Sequence, residues 1–176
     1  MRLSRLQAQT LVDYAVQAAP HEACGLLAGS ADEVQIIVPV ANAASDPEHY
    51  FEMDHPAFVR AVFQFQKQGL NLIGIYHSHP AGEPIPSPAD VAQARYPDVA
   101  YVIIGLGSSN PQLAAWSIRN YEVTRVDLVM GQPPQPADHL ELSTTGRAAI
   151  ILSAIIAIIL ALVISLSLLP PAPVIP

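Results

Sequence analysis

The sequence predicts an α/β fold, a β-sheet flanked by helices, followed by a single C-terminal transmembrane helix. Short runs rich in Val, Ile and Leu are interleaved with amphipathic stretches across the first 126 residues. Residues 148–169 contain no charged residue, no Pro and no Gly. Within the first region, Asn71-Leu72-Ile73-Gly74-Ile75-Tyr76 feeds directly into His77-Ser78-His79-Pro80, then a loop, then Ser87-Pro88-Ala89-Asp90.

Taken in order, residues 4–19 predict a helix, with Leu3, Leu6, Thr10, Leu11, Tyr14 and Ala18 at partly helical spacing and Pro20 ending it. Residues 24–28 are a short apolar strand running into a Gly29-Ser30 turn, and the β-branched run 34–40 is a second strand. Residues 41–49 form a polar loop, and 50–53 are long enough to pair only briefly. Residues 54–68 predict a helix capped by Asp54, with Phe58, Val62 and Phe65 on its buried face and Gly69 as its stop. Residues 72–76 lead to the histidines, 88–95 form a short third helix, and 99–106 are an apolar central strand. Residues 113–119 and 121–126 read as a closing hairpin with Asn120 near its turn. Residues 131–147, with Pro133, Pro134 and Pro136, read as a semi-stiff linker, although 138–142 could also pack as a last strand or helix.

The domain boundaries that follow are 1–130 for the globular part, 131–147 for the linker, 148–169 for the membrane span and 170–176 for a short tail. Twenty-two helical residues cover roughly 33 Å, against a bilayer core of about 30 Å. Only Ser153, Ser165 and Ser167 interrupt the run, where a core helix would carry a polar stripe. Arg2, Arg5, Gln7, Gln9 and Asp13 make the N-terminal helix amphipathic, unlike a secretion signal. Arg147 at the edge of the span places the large N-terminal part in the cytoplasm by the positive-inside tendency. A single cysteine, Cys24, suits a reducing compartment. The net charge of −7, without a basic stripe, argues against nucleic acid as a partner.

The residues that carry chemistry lie between His77 and Asp90. Side chains alternate along a strand, so His77 and His79 share a face and Ser78 points away. Pro80, Gly82, Pro84 and Pro86 force a loop, after which Ser87 reads as an N-cap and Pro88 as the first helical position. Asp90 then falls in the first turn, where a carboxylate is favoured. Two imidazoles and a carboxylate are ligands that Zn²⁺ prefers, and three protein ligands leave a fourth position open for catalysis. The bland alternative is a solvated turn beside an ordinary helix start; the strand before and the acid on a helix after it favour a metal. Such a site needs a nearby carboxylate as general base. Glu22, at the start of an apolar strand, is the best candidate, with Glu48, Glu52 and Glu83 as rivals.

Glu22 ahead of a Cys-Gly strand, His77-Ser78-His79-Pro80, seven residues between His79 and Ser87, and then Ser-x-x-Asp together resemble the JAMM (MPN+) zinc metallopeptidases. The resemblance covers roughly residues 3–127. It implies an MPN-like mixed, curved sheet, one Zn²⁺ per chain held by His77, His79 and Asp90, and Glu22 as general base and then proton donor. It gives Ser87 the oxyanion of the tetrahedral intermediate, a role that competes with the cap; with the resemblance, the catalytic role is preferred. Tyr50-Phe51-Glu52-Met53-Asp54 and the run 74–80 are similar to small prokaryotic members. Some of these cleave a ubiquitin-fold sulfur carrier from cysteine, and others act on ubiquitin-like modifiers attached to lysine. The implied activity is hydrolysis of an amide bond at the C-terminus of such a protein. A membrane anchor is no part of the family pattern.

Cys24 near His21 invites comparison with a cysteine nucleophile, but a small apolar role on a buried strand fits free cysteine better. His49 and His55 flank a loop and read as solvated or capping residues. Trp116 reads as core or hairpin packing, and Asp46, Glu48 and Glu83 could flank a cleft. Besides the peptidase, a catalytically inactive, membrane-anchored docking module for a ubiquitin-fold partner fits the same pattern. The ligand set with a base favours the enzyme. A zinc deaminase is disfavoured because the paired cysteine ligands of that chemistry are missing.

Overall fold

The structure, a computed structural model, describes residues 1–131. The predicted Pro-rich linker, membrane span and tail therefore lie outside the described residues, apart from Gly131, which ends a strand. Among the described residues no helix is long and apolar enough to cross a membrane.

Eight strands and three helices follow the order β1 (Arg2–Ser4), α1 (Arg5–Ala18), β2 (Cys24–Ser30), β3 (Glu33–Val40), α2 (His55–Lys67), β4 (Asn71–His79), α3 (Pro88–Gln93), β5 (Ala100–Gly105), β6 (Gln112–Arg119), β7 (Glu122–Val126) and β8 (Val129–Gly131). They form one mixed sheet in the order β7-β6-β5-β4-β2-β3-β1-β8. The β4–β5, β1–β3 and β1–β8 pairs are parallel and the others antiparallel. Register shifts in β2 at Leu27/Ala28 and Ala28/Gly29 bend this central strand, as bulges do.

Both faces of the sheet are covered, which explains why β2 and β4 read as continuous apolar runs. Leu27, Val34, Tyr76, Val102 and Ile104 meet Leu11 and Ala15 of α1 on one face. Leu26, Ala28, Ile75, Tyr101 and Ile118 meet Ala61 and Phe65 of α2 on the other. Phe58 and Val62, predicted on the buried face of α2, pack only partly at its borders; the small Ala61 takes the centre and brings the helix close.

The helix starts follow from local chemistry. Ser4 and Gln7 form a reciprocal capping box at α1, with Gln7 N–H donating to Ser4 Oγ and Ser4 N–H to Gln7 Oε1. Asp54 Oδ1 accepts from Ala57 N–H at 2.9 Å to start α2. Gly69, at φ +70° with open space around it, ends the α2 segment as expected. At the β6–β7 turn, where Asn120 is expected, Asn120 and Tyr121 both have positive φ. Residues 50–53 contribute only an isolated bridge, Met53 to Asn42. Strands β1 and β8 are additions to the sequence reading, each three residues long and too short to display a period.

Candidate metal centre

The topology brings the predicted residues together at one end of the two central strands. Cys24 pairs with His77 across the antiparallel β2–β4 ladder, so Glu22, just before β2, comes beside the end of β4 that carries His79. Ser78 points to the opposite face. It accepts a hydrogen bond from Ala23 N–H at its Oγ (2.8 Å) and donates its own N–H to Ala23 O (2.9 Å). The histidine strand and the Glu22 segment are thus tied directly to each other.

His77 is fully buried, with Phe51 stacked on its ring at 4.3 Å between centroids. His77 Nε2 lies 3.1 Å from His79 Nε2 and 3.4 Å from Asp90 Oδ1, and His79 Nε2 lies 3.3 Å from Asp90 Oδ2. Each histidine thus faces a different Asp90 oxygen, and one donor atom from each of the three residues lies within 4.8 Å of the others, a spacing compatible with ligation of one ion. His77, His79 and Asp90 are the group that could hold a metal among the described residues. The donor roles agree: His79 Nδ1 lies 2.8 Å from Glu83 O, and donation there leaves Nε2 with a free lone pair.

Charges follow burial. Burial opposes ionisation of Asp90, but hydrogen bonds to His77 and His79, and the Ser87 N–H, hold its carboxyl well below the usual range. Burial lowers His77, whereas at His79 burial is the largest single influence but Asp90, the Glu83 carbonyl and Glu22 together outweigh it and raise the imidazole. Glu22 is 6% exposed, and burial pushes its carboxyl up to about 7, His79 pulling it down and Asp90 pushing it further up. Its Oε2 has no hydrogen-bond partner among the described residues. The backbone around it is fixed: Glu22 N–H donates to Pro47 O, and Asn42 Nδ2 donates to Glu22 O and to Tyr50 O.

Ser87 is the N-cap of α3. Its Oγ accepts from Asp90 N–H at 3.2 Å, and Asp90 Oδ2 accepts from Ser87 N–H at 2.6 Å. The cap uses an oxygen lone pair and leaves the hydroxyl proton free, so capping and donation to an oxyanion are compatible on one side chain. The rival carboxylates are elsewhere: the Glu48, Glu52 and Glu83 side chains are exposed, and Glu83 contributes only its carbonyl. Asp46 pairs with the exposed His49. Cys24 is buried at 2% exposure and burial pushes its thiol up to about 12, which matches the apolar reading and not a nucleophile.

The sequence reading missed the parts that support the ligands. Phe51 lay inside a noted phrase, but nothing in its spacing points to His77. Asn42 lies in a polar loop where any Asn is unremarkable. Trp116 donates its indole N–H to Pro84 O at 2.8 Å, a contact across 32 residues that no local pattern announces.

Residues 6–119 match the family described as prokaryotic homologs of the JAB domain. Among curated relatives, a probable TtuB-protein conjugate cleaving protease of Thermus thermophilus is 41% identical over 87 residues, covering 49% of this chain and 57% of that protein. A desampylase of Haloferax volcanii is 36% identical over 86 residues, covering 48% and 62% respectively. The matches therefore span about three fifths of the length of these relatives. A protein from Desulfitobacterium hafniense with a solved solution structure superposes with a TM-score of 0.69 at 33% identity, covering 75% of this chain and 93% of that one.

Proposed function

The chain belongs to the family of prokaryotic homologs of the JAB domain, and from that premise we propose that it is a JAMM-type zinc hydrolase. Its reaction is hydrolysis of an amide bond at the C-terminus of a ubiquitin-like or sulfur-carrier protein. The observation that carries this reading is Glu22: a buried carboxylate, raised to about 7, its Oε2 without a hydrogen-bond partner among the described residues, beside a three-ligand group. A structural metal site has no use for such a group; a general base at neutral pH needs one. The names of the two relatives, a probable protein-conjugate cleaving protease and a desampylase, support the substrate class.

In this reading His77, His79 and Asp90 hold one Zn²⁺. The ion, when bound, supplies Lewis acidity and lowers the pKa of a water toward about 7. Glu22 accepts a proton from the attacking water and delivers it to the leaving nitrogen, so no covalent enzyme intermediate is needed. The Ser87 hydroxyl donates to the developing oxyanion while its lone pair caps α3. Phe51 shields His77 from solvent on its open face.

The anchor is part of the proposal. Residues 148–169 span a membrane once, residues 131–147 link it to the hydrolase domain, and the domain faces the cytoplasm, supported by the uncharged apolar run and Arg147. The chain should then stay with membranes through alkaline carbonate extraction, and recovery in the supernatant would remove the anchor from the reading.

The catalytic test uses the full chain loaded with zinc and a ubiquitin-fold carrier bearing a C-terminal cysteine or lysine adduct. Release of the amine that stops with chelator and returns with zinc is the expected result. Stoichiometric zinc without cleavage across several carriers would replace the enzyme with a docking module.

A further inference from the structure

We infer that Trp116, on a strand outside the ligand motif, is a positioning residue that sets the orientation of His79 through the loop joining β4 to α3. The inference rests on the proposed metal site and adds to it a residue that the ligand pattern does not contain.

The loop begins at Pro80, and it is clamped from two sides. From one side, Trp116 Nε1–H donates to Pro84 O at 2.8 Å. From the other, the end of β5 and the segment just after it present glycines where the loop passes. A Cβ at Gly105 would stand 2.6 Å from Pro84 N and 2.8 Å from Glu83 C, and one at Gly107 would stand 3.0 Å from Gly82. Gly107 N–H donates to Gly82 O, and Leu106 N–H to His79 O, both at 3.0 Å. Pro84 is buried between these surfaces, its φ fixed by its ring.

Trp116 holds the Pro84–Ile85 peptide by its carbonyl, and the N–H of that same peptide, on Ile85, donates to Glu83 O at 2.8 Å, while Glu83 O is also the acceptor 2.8 Å from His79 Nδ1. The Glu83–Pro84 peptide has no N–H of its own, so a bond on the neighbouring Pro84–Ile85 plane, with the packing against Gly105, must fix it. Trp116 supplies that fixing bond. If the plane rotates, Glu83 O leaves His79 Nδ1, and the Nε2 lone pair is no longer held toward the space between His77 and Asp90. Outer partners of metal-bound histidines change affinity by about 10–100-fold, and here Trp116 acts one step further out. Arg125, its guanidinium 5.7 Å from the indole centre, covers the ring on the solvent side.

Coupling between a bond and a ligand is reciprocal, which gives a test that a merely structural tryptophan would fail. Trp116 is the sole tryptophan of the chain, so its indole N–H gives a single resonance. In the full unaltered chain, zinc should slow exchange of that proton by tenfold or more. In Trp116→Phe, which keeps a ring and loses the donor, zinc affinity by chelator competition should fall by a similar factor, with a changed visible spectrum of the Co²⁺ form. Indole exchange indifferent to zinc in the unaltered chain overturns the clamp, even if the variant does not fold. An unchanged zinc affinity in a folded variant overturns it as well. Absence of zinc binding by the unaltered chain would overturn the metal-site reading, and the clamp with it.

Discussion

Glu22 is where function and stability pull apart. Its carboxyl is raised from the ordinary 4.5 to about 7 because burial disfavours the charge, so the metal-free protein binds this proton more tightly folded than unfolded. Folding is therefore unpenalised below pH 4.5, loses stability as pH rises from there to about 7, and carries the full cost above. Glu22→Gln removes the charge and the cost. Metal-free Glu22→Gln should melt several degrees above the unaltered chain at pH 8, roughly the shift of a 2–3 kcal/mol change, and show no such gain at pH 4. The zinc-loaded variant should keep its metal while losing turnover by about 10²–10⁴-fold. Thermal melts at both pH values with a parallel activity assay check this. Equal melting points at pH 8 would mean that the carboxylate is solvated.

At the scale of elements, β4 and α3 are one device: a strand that aims two imidazoles and a short helix that returns a carboxylate to them. Ser87 joins the two functions by capping α3 at the residue that feeds Asp90 into the site. Ser87→Ala should destabilise the protein by about 1 kcal/mol through the lost cap, and turnover should fall by more than zinc affinity does. Urea melts, zinc competition and steady-state rates separate the effects; a fall confined to zinc affinity would make Ser87 a cap alone. This device was legible in the sequence because its signals are local: alternation for His77 and His79, Ser-Pro for the helix start, and three residues from Ser87 to Asp90. Glu22 was only half legible, since its partners on β4 lie more than fifty positions away and only strand pairing reveals them. Phe51, Asn42 and Trp116 could not be read at all, because stacking and side chain-to-backbone bonds across the fold leave no period behind. Strands β1 and β8 escaped for another reason: three residues do not make a pattern.

For the whole molecule, β2 and β4 are shared by both cores, so a change between them is felt on both faces. Gly25 is the tightest point, where a Cβ would sit 2.4 Å from Val38 O and 2.5 Å from the Tyr76 ring. Gly25→Ala should cost about 1–3 kcal/mol or more and, by shifting Tyr76, disturb the neighbouring His77. A melting point within a degree of the unaltered chain would show that the sheet yields there more easily than its packing implies.

The seam between β1 and β8 has a consequence in time. Arg2 pairs with Val129, and the Met1 amine donates to Asp127 O, so the first strand meets its outer partner only after nearly all the described chain has been laid down. Distant parallel pairings close slowly because the loop entropy is lost before the contacts form. The central ladder of β2, β4 and β5 should assemble first, leaving the β1 side briefly open to strands of other molecules. Pulsed hydrogen exchange during refolding should protect the amides of Tyr76 and Ile103 before that of Met130. Simultaneous protection would mean that the domain closes in a single step. With the expected order, a slow translation pause just before Val129 would lengthen the interval in which nascent chains can adhere to one another.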